Sequence, residues 1–363
     1  MVTINQALKA TEAVSAPKIE LHPEWCSCVR NRNANCSACM DACPHAAIAA
    51  GENELLVNPD ACAGCGACAT ACPTQATATT QPSRTQTAYK ASIISDISTR
   101  LAYCCAHAGL SSSDDARFID VACLAQLDEA ELAQAAMKGC TSIALISGEC
   151  ANCPNAKAEQ IIQSTVQQTR LLMKHWGNQG TITRNTATKE AHGANPEKRR
   201  EALQEILGDA RNAAARTAIK AIEEPKEPKT LACSLTQGVG KLKKRVPPRN
   251  AALLNLLFEL PQCPEGPLQT RLFGQVHIDE NLCQHCGKCS FFCPTGALQQ
   301  VGEVARQTVM GVAPEPAHPA YHTFRTCDCV RCGLCTDVCP NEAIAIGDAE
   351  SSKLFDLEPE PLP

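Results

Sequence analysis

The number and spacing of the cysteines limit what this chain can fold into more than any other feature. Cysteine occurs 26 times in 363 residues, whereas aromatic residues make up only 3%. Nine cysteines lie between Cys26 and Cys72, and nine more between Cys283 and Cys339. Because so few large rings are available for packing, something other than an aromatic core must stabilise the two cysteine-rich ends.

Four runs of cysteine lie in these windows, and three of them have an identical spacing. Three of them read C-x2-C-x2-C-x3-C-P and span Cys62–Pro73, Cys283–Pro294 and Cys329–Pro340. The fourth run consists of Cys28, Cys36, Cys39, Cys43 and Pro44, with an insertion of five residues from Asn31 to Asn35. A short loop with a thiolate at every third residue can wrap around one iron–sulfur cubane. The pattern therefore predicts four 4Fe-4S clusters.

These runs resemble the motifs of bacterial two-cluster ferredoxins, and each end of the chain is similar to one such module. The resemblance implies that the fourth cysteine of a run ligates the other cluster of its module. We name the implied ligand sets A to D in sequence order. They are Cys28, Cys36, Cys39 and Cys72 (set A); Cys62, Cys65, Cys68 and Cys43 (set B); Cys283, Cys286, Cys289 and Cys339 (set C); and Cys329, Cys332, Cys335 and Cys293 (set D).

Zinc, disulfide and haem chemistry fit the clustered cysteines less well than iron–sulfur chemistry does. Zinc sites use paired C-x2-C knuckles without the third cysteine and without the terminal C-P. A disulfide scaffold needs an oxidising compartment, but no export signal is visible at the N-terminus, so a reducing cytoplasm is expected. A c-type haem is excluded because no C-x-x-C is followed by His.

Charge and hydropathy argue against two classes of partner. The formal net charge of -5 gives nucleic acid no electrostatic reason to bind. The longest apolar stretch, from Ala251 to Leu260, is about half of the length needed to cross a bilayer. We therefore expect no nucleic-acid partner and no membrane span.

The two ends of the chain are related as repeats in reversed order. The run CSCVR that begins at Cys26 recurs as CDCVR at Cys327, so each copy has an additional cysteine before its first expected ligand. Cys26 and Cys327 are either alternative ligands or small buried side chains, and the buried role is preferred because the ligand count is complete without them. Lys288, Arg30 and Arg331 lie in the cluster loops, where they either raise reduction potentials or are solvated.

Between the ends, the hydrophobic pattern changes to that of a small α/β unit. Strands are expected at Arg100–His107, Phe118–Gln126 and Ser142–Cys150, and helices at Asp128–Lys138 and Asn155–Trp176. Parallel strands bring their carboxyl ends to one edge, where Cys104, Cys105, Cys123, Cys150 and Cys153 would meet.

Four of these thiols, which we name set E, are candidate ligands of a further cluster of the 2Fe-2S type: Cys105, Cys123, Cys150 and Cys153. The alternative is that all five are buried core thiols. Cys140 falls at the opposite end of its strand and is expected to pack in the core.

The segments around set E resemble the delta subunit of methyl-viologen-reducing hydrogenase. The similarity lies in Tyr103–Gly109, Val121–Asp128 and Ile146–Cys153. It implies an iron–sulfur adaptor that relays electrons between a hydrogenase or formate dehydrogenase and heterodisulfide reductase.

We therefore expect an α+β protein in which two bacterial ferredoxin-like modules flank a small α/β unit and a helical linker region. The expected boundaries are 1–80, 88–177, 178–262 and 263–363. The linker region has a predicted helix from Asn195 to Glu224 and then a basic segment with Lys241, Lys243, Lys244, Arg245 and Arg249. This segment is a solvated tether or a docking surface for an acidic partner, and the tether is preferred.

The sequence contains no catalytic triad, P-loop, G-x-G-x-x-G fingerprint or metal-hydrolase motif. The leading hypothesis is an electron-transfer protein or subunit that is not catalytic alone and serves a cytoplasmic oxidoreductase such as a formate dehydrogenase or hydrogenase. One alternative is a maturation or docking factor with structural clusters. Another is that the α/β unit is an enzyme with His107 as its base.

Overall fold

The computed structural model describes residues 18–51, 54–80, 82–110, 115–187, 242–302 and 320–362. The helix expected from Asn195 to Glu224 and the cysteine at position 233 lie outside these ranges. The described residues form two end modules, a central α/β unit and a connecting helix. Within this part of the chain, no helix combines the length and the apolar character required to cross a lipid bilayer.

The N-terminal module consists of two antiparallel strand pairs joined by the cysteine runs. Its elements are β1 (Ile19–Leu21), α1 (Ser27–Arg30), α2 (Ala38–Ala42), β2 (Ile48–Gly51), β3 (Glu54–Val57), α3 (Ala67–Ala71) and β4 (Thr77–Thr79). Strand β1 pairs with β4, and β2 pairs with β3. The first cysteine run therefore leads from the outer pair to the inner pair, and the second run leads back.

The central unit is a parallel sheet of four strands with three helices. Its elements are α4 (Arg84–Ile97), β5 (Arg100–Cys105), β6 (Phe118–Val121), α5 (Glu129–Met137), β7 (Ser142–Ser147), α6 (Glu159–His175) and β8 (Thr181–Thr186). The strand order is β6-β5-β7-β8, and every neighbouring pair is parallel. All four carboxyl ends therefore lie at one edge of the sheet.

The expected strands and helices of this unit are present but shorter than predicted. Strands β6 and β7 end early because the chain turns into short 3-10 segments at Leu124–Gln126 and Cys150–Asn152. The unit also extends past both expected boundaries, with α4 before residue 88 and β8 after residue 177. Strand β8 has a weak sequence signal because Ile182 is its only fully buried residue.

The C-terminal module follows helix α7 (Pro248–Phe258) and repeats the arrangement of the N-terminal one. Its elements are β9 (Pro267–Leu268), β10 (Gln275–Ile278), α8 (Lys288–Phe292), β11 (Leu298–Val301), β12 (Tyr321–Phe324), α9 (Leu334–Asp337), β13 (Ile344–Gly347), β14 (Ala349–Glu350) and β15 (Glu360–Leu362). Strand β10 pairs with β13 and β11 with β12, all antiparallel. Strand β15 extends the inner pair at β12, and β9 pairs with β14.

Helix α5 is buried between two hydrophobic cores. On one side, Leu132 and Ala135 pack in the core of the central sheet, which also includes Cys65 of the N-terminal module. On the other side, Ala130 packs with the leucines of α7 and with Phe273 of the C-terminal module. The central unit therefore holds both end modules through buried apolar surface.

Candidate metal centres

The cysteines of set A line one cavity in the N-terminal module. Its sulfur-bearing residues are Cys26, Cys28, Cys36, Cys39 and Cys72, and the rest of the lining is mostly apolar. Cys72 reaches this cavity from the second run, and its charge acts on Cys36 and Cys39. Soft thiolates in a small apolar cavity suit an iron–sulfur cluster, so the residues present fit the predicted group.

Set B gathers in the same module with the reverse crossing. Cys68 is within electrostatic range of Cys43, Cys62 and Cys65, and Cys43 comes from the first run. The loop can turn this tightly because Gly64 and Gly66 adopt positive φ values of 70° and 76°.

Sets C and D show the same arrangement in the C-terminal module. Cys293 crosses to Cys329, Cys332 and Cys335, which completes the composition of set D. Cys289 is within range of Cys283 and Cys286 of set C. The segment after Cys339 reaches set C, because the Asn341 side chain donates to the Leu282 carbonyl at 2.9 Å.

Three of the four crossing cysteines are held by backbone hydrogen bonds to sulfur. The Sγ atoms of Cys43, Cys72 and Cys339 accept hydrogen bonds from the N–H groups of Ala47, Ala76 and Ala343, at 3.2, 3.2 and 3.3 Å. The donor is four residues downstream in each case. Such N–H···S bonds stabilise thiolate charge and are a known influence on cluster potentials.

Burial disfavours thiolates in the metal-free chain. It raises the pKa of Cys28 and Cys289 to about 11 and that of Cys39 and Cys329 to about 12. Neighbouring cysteines raise these pKa values further, because several negative charges would share a small space. A metal that binds these sulfurs must therefore release their protons, so its binding is coupled to pH and to folding.

The two additional cysteines differ in their surroundings. Cys327 packs in the hydrophobic core with α7, in agreement with its expected role as a small buried side chain. Cys26 is also buried, but it lines the set A cavity beside Cys28. The cavity is therefore lined by five thiols, the four of set A and Cys26, and Cys26 is a candidate alternative ligand.

The four cysteines of set E line one cavity at the carboxyl edge of the central sheet: Cys105, Cys123, Cys150 and Cys153. Burial, with Cys65, Cys105 and Cys150 nearby, raises the pKa of Cys123 to about 12. Cys104 belongs instead to the hydrophobic core of the sheet. The prediction for Cys140 is confirmed, because it is buried and its Sγ donates to the Ser98 carbonyl at 3.7 Å.

Set E has a charged partner that the sequence did not reveal. The Arg184 guanidinium donates to Cys150 Sγ at 3.3 Å and forms an ion pair with Glu159. Arg184 lies on β8, and without that strand nothing connects it with the cysteines. His107 lines the same cavity.

The ligand sets are neighbours in space. Cys123 of set E lies near Cys65 of set B. Helix α3, which carries Cys68 of set B, packs on the 3-10 segment that follows Cys123. Between the end modules, Cys36 of set A and Cys332 of set D line a common cavity. Asn35 links the two modules beside this cavity, because its backbone N–H donates to Asp337 Oδ2 at 2.9 Å. The inserted loop from position 31 to 35 thus contacts the other module.

The solvated tether expected for the basic segment is wrong for residues 243–249. The Arg245 guanidinium lies 3.2 Å from the ring centroid of Trp25, and the backbone N–H of Arg245 donates to the Pro294 carbonyl. Lys244 donates to the Ser290 carbonyl. This segment, which we call the strap, therefore contacts both end modules.

Two of the three basic residues in the cluster loops, Arg30 and Arg331, make specific contacts within the protein. Arg30 is buried and bonded to the C-terminal module, and Arg331 forms an ion pair with Asp348. Lys288 is exposed, as the solvated alternative expects.

Comparisons with known proteins support the cluster-binding modules. Residues 27–76 match the family model of a 4Fe-4S dicluster domain, and residues 276–299 and 328–345 match that of a 4Fe-4S binding domain. A curated relative, Ferredoxin Fdx8 of Sorangium cellulosum (strain So ce56), is 46% identical over 41 residues. These residues are 11% of this chain and 38% of that ferredoxin, so the chain spans less than half of its relative. No solved structure matches the chain.

The matched families and the gathered cysteines together show 4Fe-4S binding domains at both ends of the chain. The split match in the C-terminal module corresponds to the longer connection between β11 and β12. The resemblance of the central unit to the hydrogenase delta subunit stays a prediction.

Proposed function

We propose that this chain is an electron-relay subunit with five redox centres. Sets A to D hold 4Fe-4S clusters, and set E holds a further centre of the 2Fe-2S type. When bound, each cluster supplies a site that accepts and releases one electron. The single observation that carries the proposal is the unbroken succession of neighbouring ligand sets from the central unit to the far end of the C-terminal module.

The order of the succession follows from the neighbours of each set. Set E meets set B at Cys123 and Cys65, and set B meets set A at Cys68 and Cys39. Set A then faces set D across the module boundary. Set D meets set C at Cys335 and Cys289. The proposed path is therefore E, B, A, D, C.

Both ends of this path are accessible. At the set C end, Cys286 is exposed, and Leu282 and Phe291 beside it are 46% and 48% exposed. At the set E end, Cys150 and Cys153 are partly exposed. We propose that redox partners dock at these ends, one of them a formate dehydrogenase or hydrogenase, as the resemblance of the central unit implies. Because cluster ligation requires reduced thiols, we propose the cytoplasm as the compartment.

The proposal is tested by counting iron and acid-labile sulfide per chain after anaerobic purification, with EPR during stepwise reduction. We expect more than three reducible centres. Colourless protein that contains zinc instead of iron would refute the proposed function. Cys123→Ser is expected to remove the set E signal and leave the other four.

Electron throughput separates a relay from a factor with structural clusters. Cys68→Ser interrupts set B in the middle of the path, so a relay loses electron transfer between its two ends. A docking factor loses only stability. Cys140→Ser is the matched control, because Cys140 is a buried thiol outside every ligand set.

A further inference from the structure

Two arginines are buried at the boundary of the end modules without a carboxylate partner. Arg30 is 8% exposed and Arg249 is 2% exposed. None of the ion pairs in the described ranges includes either of them. A buried cation without a counter-charge is strongly destabilising. A net-negative group close to either guanidinium would therefore stabilise it.

Arg30 directs its guanidinium from the N-terminal module into the C-terminal one. Nε donates to the Phe292 carbonyl at 3.0 Å, and Nη2 donates to the Cys293 carbonyl at 3.4 Å. Nη1 donates to the carbonyls of Glu24 and Lys243 at 2.7 and 2.8 Å. Every acceptor is a neutral carbonyl. The charges that act on Arg30 are those of Cys293 and Cys332, both members of set D.

Arg249 makes the corresponding contact in the opposite module. Its Nη1 and Nη2 atoms donate to the carbonyls of Thr70 and Cys72, both at 2.7 Å. Its Nε atom is buried without a hydrogen-bond partner. The carboxylates of Glu129 and Asp128 act on Arg249 from nearby, but each forms its ion pair with another arginine, Arg271 or Arg84. Helix α7 thus places a buried guanidinium with no direct carboxylate contact against the crossing cysteine of set A.

Arg30 and Arg249 both contact a crossing cysteine. Cys72 and Cys293 are the crossing cysteines of sets A and D, which face each other across the module boundary. Each is contacted by an arginine from outside its own module. An iron–sulfur cluster with four thiolate ligands is net negative and becomes more negative on reduction, so a buried guanidinium beside it is a direct counter-charge.

We propose that Arg249 and Arg30 are the counter-charges of the clusters of sets A and D and raise their reduction potentials above those of neutral variants. The proposal rests on the proposed function, since it requires clusters at these two sets. Reduction adds one electron from a low-potential donor such as dithionite, and no bond forms or breaks. A fixed cation nearby stabilises the added negative charge, whereas a neutral side chain of similar size does not.

The test is an EPR-monitored redox titration of the full chain, purified anaerobically, as Arg30→Gln, Arg249→Gln and the double variant. In each single variant we expect the ratio of reduced to oxidised cluster at a fixed potential to fall at least tenfold for one cluster. A tenfold change corresponds to about 59 mV for a one-electron couple. The double variant should shift two clusters. Arg30→Lys and Arg249→Lys should restore most of the potential, because they keep the charge.

Arg170→Gln is the matched control. Arg170 also donates to a backbone carbonyl, that of Ile182, but it lies in the central unit away from sets A and D. We expect no potential to change in it. Unchanged potentials in Gln variants that retain their iron would overturn the proposal. A wild-type protein without iron–sulfur signals would refute the proposed function instead, so the two failures are distinguishable.

A second measurement needs no variant. If the arginines bind the reduced clusters more tightly, reduction must strengthen the module boundary by the same free energy. The amides of Arg245 and Arg249 donate across this boundary, to the Pro294 carbonyl and to Gln75 Oε1. Their hydrogen exchange in the wild-type protein should slow on reduction. Equal exchange rates in both redox states would contradict the proposal even if the Gln variants did not fold.

Discussion

Replacement of Gly66 by alanine tests how closely the N-terminal module is packed on the central unit. Gly66 follows Cys65 of set B and has a φ of 76°. A Cβ atom at this position would lie 2.3 Å from Cβ and 2.8 Å from Cα of Gln126. Because the Cα atom belongs to the backbone of the central unit, the clash cannot be relieved by rotating a side chain.

The expected cost has two parts. The left-handed conformation of a residue with a Cβ costs about 1–2 kcal/mol. Overpacking of a tight contact adds roughly 1–3 kcal/mol. Gly64→Ala is the matched control, because its φ is 70° and a new Cβ would meet only the flexible side chain of Lys18, at 3.1 Å. The control should therefore show the first part alone.

The assay is the midpoint of thermal loss of the visible cluster absorbance under anaerobic conditions. For a unit of this size, 1 kcal/mol corresponds to about 2–4 °C, so Gly66→Ala should melt at least about 2 °C below Gly64→Ala. Electron passage between sets E and B should also slow in Gly66→Ala, at unchanged iron content. Equal midpoints for the two variants would refute the close contact between module and central unit.

Three further perturbations have definite expected outcomes. Cys26→Ser and Cys28→Ser should each retain the iron of set A, because either thiol can complete the set. The double variant should lose the iron of one cluster. Loss of iron in Cys28→Ser alone would exclude Cys26 as a ligand. Arg184→Met removes the hydrogen bond to Cys150 and should lower the potential and thermal stability of the set E centre, seen by EPR, while the other centres stay unchanged. Burial raises the pKa of Glu131 from 4.5 to about 8, so its stabilising contribution is present at low pH and is lost as the pH rises through about 8. The melting midpoint of the wild type should therefore fall as the pH rises from about 4.5 to about 8 and level off above that, and it should fall less in Glu131→Gln. Parallel pH profiles would contradict this assignment.

The cysteine sets could be anticipated because their signal is local. The spacing of a run fixes three thiols around one point, and the pseudo-twofold arrangement supplies the fourth. Set E required one more step, the rule that parallel strands end at a common edge. The structure brings its four thiols to one cavity, although the strands stop short of the predicted ends.

The charged groups at the module boundary could not be anticipated, because their partners are remote in sequence and are backbone carbonyls. Arg249 and Thr70 are 179 residues apart, and Arg30 and Phe292 are 262 apart. A carbonyl carries no side-chain signature that a sequence pattern could match. A basic segment between prolines therefore looks like a tether, and only the packed modules show that it is a strap.

The repeats also explain why the two modules meet as they do. In the C-terminal copy, Arg331 is neutralised by Asp348 within its own module, whereas its counterpart Arg30 has no such acid and reaches across the boundary. The insertion before Cys36 likewise occurs in only one copy, and its Asn35 contacts the other module. Both departures from the repeat therefore lie at the boundary and contact the other module. In the proposed cluster-bound protein, Arg30 would offset part of the negative charge of set D where it faces set A.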